Sequence, residues 1–266
     1  ATETSALLLQ CFAWSEGLGL PIILRLRPEH LQACQDDVPW ELPQRAVHFL
    51  RKHNRWVTAS HIAYARRRAS HDRLRHFARD IEASPFDAAT RGHSTGIVAA
   101  GACSTLAEKV IDLVNGEIDL MTLSSVWPLP TEHVSTWLAS HQQVLIIENG
   151  QPFVEEQVLA LAQGSGLRTR IYGQKSRHLR EEGQPRLNQV LATVTELCPG
   201  LAVPQSEEED DPYGEPDQLE ESPFRPAFDA LKKVIEAHTG RERVIIAAEP
   251  GPLAGLNEVP YELVDV

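Results

Sequence analysis

The sequence contains no pair of cysteines at the spacing of a local metal site. Its four cysteines are Cys11, Cys34, Cys103 and Cys198. They are widely separated, and the C-x-x-C spacing of zinc knuckles and iron–sulfur ligand runs does not occur. This absence excludes a local zinc or iron–sulfur motif in the chain. Scattered thiols are typical of a reducing compartment, so the expected location is the cytoplasm.

Long apolar runs and the common catalytic motifs are also absent. No stretch approaches the length of a membrane span, and no charged segment precedes an apolar one as in a signal peptide. The histidines lack H-x-x-x-H and H-E-x-x-H spacing, and neither G-x-S-x-G nor G-x-x-x-x-G-K-[ST] occurs. The sequence therefore gives no support to metal, serine-hydrolase or P-loop chemistry, and we expect no membrane contact.

Methionine is nearly missing as well. The chain begins with Ala1, and its single methionine is Met121. We therefore expect either that an initiator methionine has been removed or that the sequence is a piece of a longer protein.

Charge is unevenly distributed along the chain. Residues 207–221 contain nine acids and no base, and they account for most of the net charge of −12. Residues 45–79 contain ten Arg or Lys, five His and one acid, Asp72. Such a basic segment can bind nucleic acid, but few aromatic residues are interleaved for base stacking. The favoured interpretation is a solvated or interface-facing pair of helices, with no nucleic-acid partner.

From residue 95 onward, short apolar runs alternate with amphipathic segments. The strings "TGIVAAG", "IDLMTLSSV", "QQVLIIENG" and "LRTRIYGQ" are typical of buried strands. Helices are predicted between and after them, with Leu106, Val110, Leu113 and Val114 on the inner face of the first and Thr131 capping the second. This alternation predicts an α/β fold, a parallel sheet with helices on both faces.

The flanking segments are simpler. Residues 2–19 are predicted to be a helix that ends at its glycines, and "PIILRLRP" is predicted to be a strand that ends at Pro28. Residues 43–83 have a mostly helical pattern. Residues 199–224, rich in acid, Pro and Gly, are predicted to be a disordered linker. A helix in "RPAFDALKKVIEAHTG" and a strand in "RVIIAAEPG" follow.

The turn "AAGACST" joins a predicted strand to a helix and is a candidate anion site. The amides around Gly101 and Ser104 could hold a phosphate or carboxylate at the helix N-terminus. Thr105 and Glu108 also fit a capping box, which by itself explains the pattern. Cys103 could have its pKa lowered by the helix dipole, although a small residue filling a tight turn is the favoured interpretation.

The stretch "VLIIENGQPFVEEQV" places a glutamate where a strand ends. Glu148 and Asn149 follow the apolar run, at the edge of a parallel sheet where ligands and subunit contacts usually lie. Glu155 and Glu156 fall in the first turn of the next helix, where the dipole stabilises negative charge. Of the three glutamates, only Glu148 is therefore kept as a candidate anion or interface residue, together with Asn149.

The strings "TGIVAAGACSTLAEKVIDLV", "SSVWPLP", "VLIIENGQPFVEEQV" and "RIYGQKSRHLREEGQ" resemble the α subunit of indolepyruvate:ferredoxin oxidoreductase. That family oxidises aryl-2-oxoacids to acyl-CoA with thiamine diphosphate and iron–sulfur clusters and reduces ferredoxin. The resemblance implies a transketolase C-terminal-like domain at residues 93–198. It also implies the end of a pyrimidine-binding-type domain at 1–42, a basic helical connector at 43–92 and a degenerate or truncated diphosphate-binding-type domain at 225–266.

The sequence departs from that family at the positions that carry the chemistry. Residues 222–226 read Ser-Pro-Phe-Arg-Pro where the family has a Cys-Pro-Gly-Cys-Pro-His string, and the Mg²⁺-binding Gly-Asp-Gly motif is missing. The glutamate that activates the cofactor is missing too. We therefore expect no catalytic, cofactor-binding or metal-binding residues here. Thiamine diphosphate, Mg²⁺ and iron–sulfur clusters are implied only for the parent complex.

The resemblance implies a structural role for the chain. We expect a domain that packs beside the thiamine diphosphate site, supports a homodimer and contacts a partner oxidoreductase subunit, with ferredoxin as the acceptor of the parent complex. Two alternatives stay open at this point. One is a chain that completes a split thiamine diphosphate enzyme, and the other is an independent anion-binding or protein-interaction module.

Overall fold

The computed structural model describes residues 2–26, 59–181, 183–204 and 225–238. The chain separates into two compact units, residues 1–210 and 211–266. In the second unit the described element is helix α7, Arg225–His238, as the sequence predicted. The predicted strand "RVIIAAEPG" and most of the acidic segment lie outside the described residues, and the proposed division into five parts stays a prediction.

A five-stranded sheet organises the first unit. Its strands are β1 (Ala88–Ala89), β2 (Thr95–Ala100), β3 (Asp119–Leu123), β4 (Gln143–Ile147) and β5 (Arg170–Tyr172). The order across the sheet is β1-β3-β2-β4-β5. All neighbouring pairs are parallel except β1 with β3, which is antiparallel. The predicted parallel α/β sheet is confirmed, with the addition of one short antiparallel edge strand.

Helices cover both faces of the sheet. They are α3 (Ser104–Leu113), α4 (Thr131–Leu138), α5 (Phe153–Gly164) and α6 (Leu187–Leu197). Helices α3 and α6 pack on the face that carries Ile97 and Leu145, and α4 and α5 pack on the face that carries Val98 and Ile146. Because consecutive strand residues point to opposite faces, the continuous apolar runs of β2 and β4 fill both cores.

Two further helices complete the described part of the first unit. Helix α1 spans Thr2–Leu18 and helix α2 spans Ser60–Asp80. They meet through an edge-to-face contact of Trp14 with Phe77, whose ring centroids are 5.2 Å apart. Phe77 is the buried residue of α2, and in its N-terminal half, residues 60–69, every side chain except Ile62 is exposed.

Several local predictions were wrong. Residues 21–26 form no strand, and 27–28 lie outside the described residues. Leu113 is 39 % exposed, because the inner face of α3 is formed by Ala107, Val110 and Val114. Helix α4 has no cap from a side chain at its own start, so Thr131 does not cap it. Strand β1 escaped prediction because Ala88 and Ala89 are too short a stretch to show any periodicity.

Candidate functional site

The strand order places a topological switch point at the carboxyl ends of β2 and β4. The chain runs from β2 to β3 on one side and then crosses to β4 on the other side of β2. Helix α3 leaves β2 towards one face, and α5 leaves β4 towards the opposite face. Open α/β sheets bind ligands at such a switch point. All six candidate residues lie beside it, in two groups: Gly101, Cys103, Ser104 and Thr105 after β2, and Glu148 and Asn149 after β4.

The turn after β2 redirects the chain from the strand into helix α3. Gly101 is exposed and has a φ of +53°, a conformation that favours glycine. Residues Gly101–Cys103 form a short 3₁₀ turn that runs directly into α3, and the hydroxyl of Ser104 donates to the Gly101 carbonyl (2.8 Å). Helix α3 has no side-chain cap, so the capping box of Thr105 and Glu108 was wrong. Cys103 is buried, as expected of a residue that fills the turn.

Glu148 holds the N-terminus of α5. Its side chain is buried, and its two carboxylate oxygens accept the backbone N–H groups of Val154 (2.7 Å) and Glu155 (2.8 Å). Burial raises the pKa of this carboxyl above its ordinary value, and the hydrogen bonds oppose that shift only in part. The carboxylate therefore supports the helix N-terminus, and its negative charge would repel an incoming anion.

Replacing Glu148 by glutamine is expected to lower the free energy of unfolding by about 1–3 kcal/mol at neutral pH. The amide oxygen can accept one N–H, but the amide nitrogen then faces the other and leaves it unpaired. Urea unfolding would measure the change. Glu132→Gln, an exposed carboxylate in the first turn of α4, is the matched control and should change stability little.

The pH dependence gives this variant a second readout. Because the pKa of Glu148 is raised in the fold, the native state holds this proton more tightly than the unfolded chain. Wild-type stability should fall as pH rises from about 4.3, the ordinary value, through the raised pKa. Glu148→Gln should lose this component of the pH slope, and an unchanged slope would contradict the assignment.

Two further carboxylates, Glu82 and Asp87, accept backbone N–H groups from residues that are distant in sequence. Glu82 caps α4, since its oxygens accept the N–H groups of Glu132 (3.0 Å) and His133 (2.7 Å). Asp87 accepts the N–H (2.7 Å) and the hydroxyl (2.6 Å) of Ser124, just after β3. Sequence reasoning missed both, because contacts that span 37 positions for Asp87 and 50 or 51 for Glu82 leave no local signal.

An apolar patch is exposed at the same edge of the sheet. We call Val126, Trp127 and Phe153 the edge patch; their exposed fractions are 40 %, 59 % and 48 %. The side-chain amide of Gln157 donates to the carbonyls of Val126 and Phe153, both at 3.1 Å, and so joins the loop after β3 to the start of α5. Adjacent large apolar side chains on a surface commonly mark an interaction site.

The opposite edge of the sheet carries a hydrogen-bond network around the buried Asp119. This carboxylate accepts the N–H groups of Gly92 (2.7 Å) and His93 (3.0 Å), and the imidazoles of His93 (3.1 Å) and His141 (3.0 Å). Burial pushes the pKa of Asp119 upward, but these four hydrogen bonds outweigh it and the net pKa is lowered. The network joins the starts of β3 and β4, so its role is structural.

Side chains that could bind a metal do not cluster within the described residues. Among them, no three His, Cys, Asp or Glu side chains come together as metal ligands. The carboxylates at the carboxyl edge are instead engaged with backbone N–H groups. Also within this part of the chain, no helix is long and apolar enough to cross a membrane.

Sequence comparison relates the whole chain to one kind of oxidoreductase subunit. The chain is 23 % identical over 262 residues, 96 % of its length, to the indolepyruvate oxidoreductase subunit IorA of Methanothermobacter thermautotrophicus. It is 25 % identical over 164 residues to IorA of Archaeoglobus fulgidus. The resemblance predicted from the sequence is confirmed. No protein-family model matches the chain.

These relatives are considerably longer than the chain. The aligned part covers 42 % of the first and 25 % of the second. Among solved structures, a 2-oxoglutarate:ferredoxin oxidoreductase from Magnetococcus marinus, with 2-oxoglutarate, coenzyme A and succinyl-CoA bound, aligns with a TM-score of 0.37 and 11 % identity. That alignment covers 52 % of this chain and 24 % of the other. The similarity to IorA is therefore the comparison on which a function can be argued.

Proposed function

We propose that the chain is part of the α subunit of a 2-oxoacid:ferredoxin oxidoreductase that acts on an aryl pyruvate such as indolepyruvate. Its α/β domain serves as a structural and interface domain beside the thiamine diphosphate site and is not catalytic alone. The observation that carries this proposal is the similarity to IorA along 96 % of the chain. In the parent complex, thiamine diphosphate, Mg²⁺ and iron–sulfur clusters would supply oxoacid cleavage and electron transfer to ferredoxin.

Two exposed surfaces support the interface role. The edge patch offers apolar side chains at the carboxyl edge of the sheet, and Trp127 is the type of residue that dominates binding energy at interfaces. The N-terminal half of α2 is exposed and presents Arg66, Arg67 and Arg68. A helix that is polar on all sides is usual where it bridges to another domain or subunit. A partner subunit or a second copy of the chain would cover these surfaces.

The interface proposal predicts that Trp127→Ala weakens binding to the partner oxidoreductase subunit by about 30-fold or more, the effect of removing a hot-spot tryptophan. Stability should change little, because this side chain is mostly exposed. The experiment is to purify the tagged chain from its source, identify its companions by native mass spectrometry and measure the dissociation constant for the subunit found. Leu113→Ala, an exposed leucine on α3 at the other face of the sheet, is the matched control.

Three outcomes would contradict this proposal. They are a strict monomer that binds no oxidoreductase subunit, equal loss of binding in the Leu113 control, and a partner that is not an oxidoreductase subunit. If thiamine diphosphate copurifies with the complex and is lost when this chain is omitted, the chain completes a split active site and is more than an interface.

A further inference from the structure

Helix α2 concentrates positive charge on the surface of the first unit. Its sequence contains six arginines and two acids, Asp72 and Asp80. Arg66, Arg67 and Arg68 are consecutive, so their side chains leave the helix in three directions about 100° apart. All three are exposed. The N-terminal half of α2 therefore presents guanidinium groups around much of its circumference.

The positive charge continues along one side of the helix. Exposed side chains recur there every three or four residues, and they are Tyr64, Arg68, His71, Arg75 and Arg79. We call this side, together with Arg66 and Arg67, the arginine surface. The other side of α2 carries the buried Phe77, whose ring packs against Trp14 of α1. The helix is thus attached to the first unit by one side and leaves the arginine surface open to solvent.

Most of the charge on the arginine surface is uncompensated. Arg75 forms an ion pair with Asp72, and this hydrogen bond lowers the pKa of the Asp72 carboxyl below its ordinary value. The guanidinium groups of Arg66, Arg67 and Arg79 have no hydrogen bond or ion pair among the residues that the structure describes. Like charges at neighbouring helix positions destabilise a helix, so folding alone does not account for this surface.

The chemistry of the arginine surface limits what can cover it. A second copy that met it with the same surface would place arginines against arginines, and the like charges would repel. Helices that bind lipid bury an apolar side beside their basic one, but the apolar side of α2 packs on α1. Single-stranded nucleic acid is held by several stacked aromatic side chains, and Tyr64 is the only large hydrophobic side chain of the arginine surface.

We propose that the arginine surface binds an acidic protein surface, a cluster of Asp and Glu side chains on the partner subunit. The inference rests on the proposed function for the identity of the partner and adds the chemistry of the contact. A guanidinium group pairs with a carboxylate through two parallel hydrogen bonds, which gives the contact a defined geometry. Several uncompensated arginines also speed the encounter with an oppositely charged protein.

The first test compares two double variants that remove the same charge. Arg67→Gln/Arg68→Gln acts on the arginine surface, and Arg168→Gln/Arg170→Gln removes two exposed arginines at the start of β5. Association with the companion subunit that copurifies with the chain would be followed by stopped-flow fluorescence at low and high salt. At low salt we expect association to slow by about 10-fold in the first variant and by less than about 2-fold in the control. The difference should vanish at high salt, where charges are screened.

The second test locates the contact on the otherwise unchanged chain. p-Benzoylphenylalanine would replace Tyr64, whose side chain is 74 % exposed and therefore contributes little to folding. Light would cross-link it to its neighbour in the complex, and mass spectrometry would identify the labelled residue. We expect the label in a segment of another protein that is rich in Asp and Glu. A label on a second copy, on another part of the same chain or on nucleic acid would overturn the proposal, as would equal association rates for the two double variants.

Failure of this inference differs from failure of the proposed function. If the companion is an oxidoreductase subunit that associates equally fast with both double variants, the arginine surface is not its binding site and the proposed function stands. If the labelled acidic protein is not an oxidoreductase subunit, the proposed function fails and the arginine surface keeps its assignment.

Discussion

Replacing Gly96 by alanine is expected to destabilise the first unit by at least about 3 kcal/mol, the upper range for overpacking of a core. A Cβ atom at Gly96 would lie 2.3 Å from Cη2 and 2.9 Å from Cζ2 of Trp137, and 3.0 Å from the ring of His141. The indole cannot move aside easily, because it is fully buried and its N–H donates to the carbonyl of Thr90 (2.8 Å). The strand or the helix must therefore shift.

Chemical denaturation would measure this loss, and two further variants define its cause. Gly164→Ala, at the end of α5 where an added Cβ meets nothing within 4 Å, should leave stability unchanged or slightly higher. Trp137→Phe removes the ring atoms that collide, so the double variant with Gly96→Ala should lose less than the sum of the single variants. Strict additivity would show that the close approach of Gly96 and Trp137 is not the cause.

Replacing Asp119 by asparagine is expected to cost about 3 kcal/mol at neutral pH, because it disrupts a hydrogen-bond network in which four donors face one buried carboxylate. The substitution removes the charge that the His93 and His141 imidazoles contact and turns an amide nitrogen towards N–H donors. Urea unfolding would measure the loss. Asp112→Asn, an exposed position on α3, should change the free energy of unfolding by less than about 0.5 kcal/mol.

The pH dependence of this effect has a defined direction. The pKa of Asp119 is lowered in the fold, so its stabilisation is complete above the ordinary value of about 3.9. It is lost as pH falls through the lowered pKa, since the native state then takes up a proton that the unfolded chain already holds. Wild type and Asp119→Asn should therefore converge in acid. A gap that stays constant down to the lowest pH would contradict the network assignment.

The sequence was sufficient to predict the layered fold because each element carries its own periodic pattern. The apolar runs of β2 and β4 can be buried only between two layers, and Val134, Trp137 and Leu138 recur on one face of α4, where all three are fully buried. Because the predicted strands are parallel, their carboxyl ends were expected to lie at one edge of the sheet. Gly101 and Glu148 were accordingly predicted at the edge where the structure places them.

The roles of those edge residues could not be predicted, because they depend on contacts between distant positions. Glu148 accepts backbone N–H groups six and seven positions away, and Glu82 does so about fifty positions away. Glu155 was expected to be a simple helix-start residue stabilised by the dipole. Its burial beneath Gly173 is visible only once β5 is placed beside β4. The hydrophobic periodicity of a sequence carries no information about tertiary contacts of this kind.

The central claim is that this chain works as a non-catalytic part of a 2-oxoacid:ferredoxin oxidoreductase, and the most direct measurement is reconstituted activity. Indolepyruvate- and CoA-dependent reduction of a viologen dye would be followed for the isolated chain, for the complex purified with it, and for the complex without it. We predict no activity for the isolated chain, activity for the complex, and loss when the chain is omitted. Turnover by the isolated chain, or a complex equally active without it, would contradict the account.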